Sequence, residues 1–252
     1  MANHALAGLE TALRARKLDR TLTTALPLER RDQSAVVATD VAALDACLRG
    51  GLPRGQLSEI AGPAASGRTT LALQTIAAST RRGEIAALVD TFDRLDVASA
   101  AAAGIDLDRL LWIRGSDRTW GPASAGPGGP EAIINRALKA LNLVLQARGF
   151  ACVVLDLADA PPVALKRLPF TTWLRVQRII EGSDTACLLV APQPLARSAG
   201  GLTLLLAGRP RWTGDADRNR HLTGADVTVR VVSPRRRVEG EVSISTMANV
   251  NH

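Results

Sequence analysis

The sequence contains no tyrosine, three phenylalanines and four tryptophans, so only 3% of it is aromatic. That scarcity of ring faces argues against a base-stacking platform for single-stranded nucleic acid. Cysteine is scarce as well. Cys47, Cys152 and Cys187 lie far apart in apolar runs, the pattern of core thiols rather than of a metal or catalytic centre. Of the three histidines, His4 and His252 sit at the ends of the sequence and His221 stands alone. Neither a zinc site nor a histidine-based triad is supported. No run of about 18 uninterrupted apolar residues occurs, so no membrane span is expected. Residues 1–20 are charged and lack the apolar core of a signal peptide, which makes a cytoplasmic protein the expectation.

What is present is an ample core and an uneven charge. Of 252 residues, 46% are hydrophobic, enough for one large α/β domain or two small ones. The net charge of +7 resides at the ends: residues 1–31 carry +3, residues 197–252 carry +4, and residues 32–196 are neutral. Basic ends on a neutral core suit nucleic acid or an acidic partner. The same balance also describes the solvated surface of an arginine-rich chain, with 28 Arg against three Lys.

One stretch carries chemistry. Gly62-Pro63-Ala64-Ala65-Ser66-Gly67-Arg68-Thr69-Thr70 follows a strand-like run, Gln56 to Ala61, and opens a helix-like run, Leu71 to Ser79. Strand, glycine-bounded loop and helix form the layout of a phosphate-binding loop (P-loop), with Gly62 and Gly67 at the spacing of G-x-x-x-x-G-K-[ST]. Backbone N–H groups at a helix start cradle phosphate, and the Thr69 hydroxyl stands where a Mg²⁺ ligand belongs. The lysine is replaced by Arg68. Arginine keeps the charge but is longer, planar and forked, so the exchange is not conservative. A second element fits the same chemistry. Val153-Val154-Leu155-Asp156 is an apolar strand ending in an acid, the place of the carboxylate that holds Mg²⁺; its plainer role is to cap the next turn.

The rest of the chain alternates strands and helices. Residues 4–19 read as an amphipathic helix with Leu6, Leu9 and Leu13 on one stripe, suited to a partner surface or to folding back on its own core. Residues 20–37 read as a linker, with Pro27 and Glu29-Arg30-Arg31-Asp32 against a packed element. Thr39 is the expected N-cap of a helix from Val41 to Leu48 that Gly50-Gly51 ends. Strands are expected at Ile85–Asp90, Leu110–Ile113, Ala151–Leu157 and Ala186–Ala191, with helices at Asp93–Ala103, Glu131–Arg148 and Leu174–Glu181. Residues 115–130, rich in Gly, Pro and Ser, read as a loop. After Ala191 the helices stop. Leu202–Ala207, Asp226–Val232 and Val238–Thr246 read as strands, the last two as an antiparallel hairpin about Ser233-Pro234-Arg235-Arg236-Arg237. The expected fold is α/β: a mostly parallel, doubly wound sheet with helices on both faces and a C-terminal antiparallel hairpin. The divisions are residues 1–35 (helix and linker), 36–232 (core) and 233–252 (basic turn, strand and tail).

The order of these pieces resembles the bacterial RecA recombinase family. The likeness runs through Leu44-Asp45, Gly50-Gly51-Leu52-Pro53-Arg54-Gly55, Glu59-Ile60-Ala61-Gly62-Pro63, Ser66-Gly67, Thr69-Thr70-Leu71, Leu88-Val89-Asp90, Leu95-Asp96 and Gly104 to Leu110, and on to the Asp156 strand. It covers about residues 36–195 and implies a RecA-like P-loop core. It further implies ATP and Mg²⁺ at Gly62 to Thr70 and Asp156, with Thr69 and Asp156 at the metal and Gln193 matching the γ-phosphate-sensing glutamine. The departures matter as much. In that family the strand after the P-loop helix leads into Asp-x-Glu, whose glutamate activates water. Here the run is Asp90-Thr91-Phe92, and Phe92 cannot act as a base. Both loops that bind DNA in the family are shortened here, at Ala160-Pro161-Pro162 with Lys166-Arg167, and at Arg197 to Gly201.

A RecA-like chain without its base, with Arg197-Ser198-Ala199 and a later Arg211-Trp212, is similar to the ImuA family, RecA relatives often labelled SulA-like. That resemblance implies a non-catalytic accessory of damage-induced (SOS) translesion synthesis and mutagenesis, near the nucleoid, with no catalytic residue and with ATP and Mg²⁺ bound weakly or not at all. The implied partners are RecA, an ImuB-type inactive Y-family polymerase and an error-prone DnaE-type polymerase complex. The candidate contacts to these partners, or weakly to DNA, are Leu6, Leu9, Leu13, Arg209, Arg211, Arg218, Arg220, Arg235, Arg236 and Arg237. Two alternatives stand beside it: a DNA-dependent ATPase or recombinase with an unusual P-loop, and a SulA-like inhibitor of cell division.

Overall fold

A computed structural model describes residues 36–115, 129–196, 201–215, 219–232 and 240–247. The expected helix with Leu6, Leu9 and Leu13, Arg218, the Arg197-Ser198-Ala199 segment and the turn with Arg235, Arg236 and Arg237 lie outside these residues, as does nearly all of the 115–130 loop.

The described chain forms β1 (Val36–Val37), α1 (Ala42–Cys47), β2 (Leu52–Pro53), β3 (Leu57–Ala61), α2 (Arg68–Arg81), β4 (Ala86–Asp90), α3 (Val97–Ala102), β5 (Leu110–Arg114), α4 (Gly129–Ala147) and β6 (Cys152–Asp156). It continues through α5 (Pro162–Lys166), α6 (Thr171–Ile180), β7 (Ala186–Ala191), β8 (Thr203–Thr213), β9 (His221–Val232) and β10 (Gly240–Met247). Eight strands form one sheet in the order β10-β9-β8-β3-β7-β6-β4-β5. Pairing is parallel from β8 through β3 to β5, and antiparallel between β8 and β9 and between β9 and β10. This is the expected α/β fold with its C-terminal antiparallel hairpin.

The central strands β4, β6 and β7 read as apolar runs because both of their faces are covered, and β3, covered alike, buries Ser58 and Glu59 with hydrogen-bond partners. On one face Ile60, Leu88, Val154, Leu188 and Val190 meet Leu44 of α1, Leu71 and Ile76 of α2 and Ala100 of α3. On the other, Leu57, Val89, Val153, Leu155 and Leu189 meet Leu141 of α4, Leu165 of α5 and Trp173, Val176 and Ile180 of α6. Hydroxyls buried in α2 are satisfied within the helix: Thr75 Oγ1 donates to Leu71 O at 2.8 Å and Ser79 Oγ to Thr75 O at 3.0 Å. Cys152 and Cys187 are fully buried core thiols, and burial pushes the Cys152 thiol up to about 12.

The elements differ from expectation at five places. Val36–Val37 belongs to a two-stranded antiparallel pair with Leu52–Pro53 rather than to a linker. Thr39 does not cap α1, whose N-cap is Val41; instead Thr39 Oγ1 and N donate to the Asp45 carboxylate at 2.8 and 2.9 Å. The helix expected from Asp93 starts only at Val97, because the Asp90 carboxylate ties residues 94 and 95 into a turn and Asp96 caps α3. A short helix, α5, fills the Pro-rich stretch after β6, with Pro162 as its first residue, where a missing N–H is harmless. β8 and β9 also run further than the expected Leu202–Ala207 and Asp226–Val232. Gly208 is required in place: a Cβ there would lie 2.6 Å from Ala65 O, so the strand approaches the P-loop backbone as only glycine allows.

Trp173 anchors α6 at 2% exposure. Trp173→Ala is expected to cost about 3–5 kcal/mol. In urea titrations the midpoint falls with unchanged slope; an unmoved midpoint would show that α6 is not part of the cooperative core.

Candidate nucleotide site

The carboxyl ends of parallel strands are where ligands bind in open α/β sheets. Here β3, β7, β6 and β4 lie side by side and end in register, Asp90 level with Asp156 and Asp156 with Val190. Gly62 N donates to Ala191 O at 3.3 Å and Leu157 N to Val190 O at 2.9 Å, so the chain leaving β3 and the chain leaving β6 are both stitched to β7.

The P-loop turns through Ala65 at φ 59° and Gly67 at φ 88° before α2 starts at Arg68. The left-handed conformation at Gly67 is one that glycine adopts without strain, and Val227 of β9 packs against it. Pro63, Ala64 and Ala65 are exposed. No side chain caps the N-terminus of the 14-residue α2, so its first N–H groups face outward. Ser66 is buried at 1% exposure, and its Oγ has no hydrogen-bond partner. Thr69 and Thr70, exposed on the first turn, line a cavity of about 400 Å³. Asp90, Phe92, Arg94, Asp96, Ser99, Asp156 and Asp159 share that cavity with Leu73, Ile76, Leu88 and Leu95.

Asp156 accepts from Ala158 N at 2.8 Å. Burial pushes its carboxyl up to about 6, against the pull of that N–H; the neighbouring Asp90 and Asp159 carboxylates add to the rise and Arg68 opposes it. Arg68 itself does not line the cavity. At 8% exposure, its two terminal nitrogens donate to Gly62 O and, at 2.9 Å, to Ala158 O.

The acids beyond β4 are committed to structure. Asp90 accepts from Arg94 N and Leu95 N at 2.8 Å each and from Trp112 Nε1 at 3.2 Å. Phe92 packs against the apolar cluster on the α4 side. Asp93, at φ 55°, accepts from Nε and one terminal nitrogen of the Arg114 guanidinium at 2.8 Å each, which keeps its carboxyl below the usual range.

Gln193 is exposed on the segment after β7 and does not line the cavity. Arg209 and Arg211 lie on the protruding β8–β9 ribbon, where Arg209 sits opposite Asp226 and Arg211 pairs with Asp226 at 3.6 Å and donates to Thr246 O at 2.8 Å. Arg220 stands 5.7 Å over the Trp212 ring. Three features carried no spacing signal. These are the Arg94–Asp159 ion pair at 3.1 Å beside the cavity, the capping role of Asp90, and Glu59. The last, 1% exposed on β3, accepts from Leu195 N, Ala196 N and Thr203 Oγ1.

For a magnesium nucleotide the fit is divided. The uncapped start of α2, the unpartnered Ser66 hydroxyl, and Thr69 and Asp156 on one cavity suit a phosphate and its metal. Arg68, engaged by two carbonyls, supplies no cation to the outer phosphates, and no acid along 90–93 is disposed to activate water. Among the described residues no group of three or more metal-ligating side chains occurs, and no helix is long and apolar enough to cross a membrane.

Asp156 gives a pH test. A folded-state value raised from 3.8 to about 6 means that the stability linked to this group is present below pH 3.8 and lost as pH rises through 6. In metal-free buffer Asp156→Asn is expected to exceed the parent in stability at pH 7 by about 1–3 kcal/mol. The gain shrinks toward zero near pH 4 in paired urea titrations; a pH-independent difference would contradict the burial of this charge.

Comparison with known proteins agrees with this geometry. Residues 10–119 match the RecA N-terminal domain. The chain is 47% identical over 75 residues to protein RecA of Synechocystis sp., covering 30% of this chain and 21% of that protein. It is 51% identical over 80 residues to protein RecA of Salinispora arenicola, covering 31% and 23%, and 44% identical over 106 residues to that of Clavibacter michiganensis, covering 41% and 29%. The matched segments thus span less than a third of these relatives' length. The chain carries a segment similar to the RecA N-terminal domain on an α/β fold of RecA-like type.

Proposed function

We propose that this chain is a RecA-like accessory protein that does not hydrolyse ATP and acts by binding other proteins in damage-induced translesion synthesis. The observation that carries the loss of turnover is the state of the would-be catalytic groups. Arg68 is tied to Gly62 O and Ala158 O, Phe92 stands where a base belongs, and Asp93 is gripped by Arg114. A P-loop enzyme works almost wholly by positioning and charge stabilisation, and these are the parts withdrawn here. The cradle then binds Mg-nucleotide weakly or not at all. By its resemblance to the ImuA family, the partners are RecA, an ImuB-type inactive polymerase and a DnaE-type polymerase complex, met in the cytoplasm through residues 1–35 and the basic C-terminal turn.

One observation favours a second reading, a DNA-dependent ATPase. Thr69 and Asp156 line the same cavity, as metal coordination requires. Titration of the purified protein with Mg-ATP, with turnover followed on the same sample with and without single-stranded DNA, separates the two. The expected outcome is a Kd weaker than about 1 mM and no turnover above buffer in either condition. DNA-stimulated turnover would replace the accessory role with the enzyme. In pull-downs with RecA and the ImuB-type partner, reversing Arg235, Arg236 and Arg237 to Glu is expected to reduce capture without unfolding the core; full capture would remove the basic turn as a contact.

A further inference from the structure

Arg68 connects two separate parts of the chain. Its terminal nitrogens donate to carbonyls from two different parts of the chain: Gly62 O at the start of the P-loop and Ala158 O in the turn after β6, ninety residues beyond Arg68. β3 and β6 are not neighbours; β7 lies between them. With strands about 4.8 Å apart, the two carbonyls belong to chain ends roughly 10 Å apart at their strands. A guanidinium offers donors on separate nitrogens in a rigid fork, whereas an ammonium gathers its three donors on one nitrogen. Below the fork, Gly62 N and Leu157 N already bind β7 from either side. Arg68 closes over the same end of β7, and it is almost wholly buried there.

The charge is therefore satisfied before any ligand arrives. In a lysine-bearing loop, phosphate is the partner that draws the cation and orders the cradle. Here backbone carbonyls do that. The neighbouring contacts point the same way: Gly208 of β8 and Val227 of β9 press on Ala65, Ser66 and Gly67 from the opposite side, so the loop is braced on both flanks.

We infer that Arg68 is a positioning residue, a built-in clamp that joins the P-loop to the Asp156 turn and holds the site in one shape without nucleotide, so that restoring lysine frees the cradle for nucleoside triphosphate. The inference rests on the non-hydrolysing reading above, but it is tested by a different readout. Amide hydrogen exchange would be followed across 62–68 and 156–159 in the full chain, for the parent, Arg68→Ala and Arg68→Lys, with binding measured calorimetrically using Mg-ADP and Mg-ATP. In the parent, millimolar Mg-ATP should leave exchange in both segments unchanged. Arg68→Ala should speed exchange about tenfold in both segments together while β6 and β7 stay protected. Arg68→Lys should bind Mg-ATP at least tenfold tighter than the parent, with protection of 62–68 now dependent on nucleotide.

Unchanged exchange at 156–159 in Arg68→Ala would overturn the clamp. Should Arg68→Ala not fold, Arg68→Lys alone decides: no gain in nucleotide binding and parent-like exchange in both segments would overturn it equally. Turnover by the parent would remove the non-hydrolysing reading while leaving the exchange result to stand or fall by itself.

Discussion

Everything at the candidate site depends on four parallel strands, β3, β7, β6 and β4, that have no exposed face. Strands buried on both sides are mostly apolar, and a polar group along them needs its own partners, as Glu59 of β3 has. The shared register brings the strand ends level, so the P-loop, the segment after β7, Asp156 and Asp90 all emerge along one line. The site is a consequence of how the core is buried. The α2 helix lies on the same apolar layer, which directs its open N-terminus at that line.

The charged groups near the line are drawn inward and wrapped by backbone. Asp90 takes two amides and an indole N–H, Glu59 takes two amides and a hydroxyl, and Arg68 takes two carbonyls. A buried charge is tolerable only when it is paired or hydrogen-bonded in this way. Each such arrangement rigidifies the turn it serves and leaves that group with less to offer a ligand. At the candidate site these three side chains hold the surrounding backbone together.

Much of this was legible in the sequence. The apolar runs, the glycine spacing at 62 and 67 and the strand-end Asp156 placed the fold, the loop and an acid at the end of β6 that lines the same cavity as Thr69, since period and spacing are properties of local sequence. The exchange of lysine for Arg68 was visible; where its head goes was not, because Ala158 lies ninety residues away and contributes only a main-chain oxygen, which no residue type advertises. The same holds for Asp90, whose partners are the amides of residues 94 and 95, and for the late start of α3 that follows from them. Thr39 looked like a helix cap and was captured by Asp45 instead, a local competition between two equally plausible hydrogen bonds. The β8–β9 ribbon outran its pattern because Gly208 answers to the P-loop pressed against it, a tertiary demand with no periodic trace.

The position of β3 in the sheet bears on how the chain reaches this state. β3 is formed by residues 57–61, yet its two neighbours are β7 at 186–191 and β8 from 203 onward. Contacts of such long sequence separation are slow to form because a large loop must close first. On a ribosome, β4, β5, α4 and β6 all emerge before either partner of β3 exists. The P-loop strand is thus the last central strand to be enclosed, and until then its apolar length and open backbone are exposed to mispairing. A nascent chain cut short before residue 190 would carry the glycine-rich loop without the sheet that shapes it.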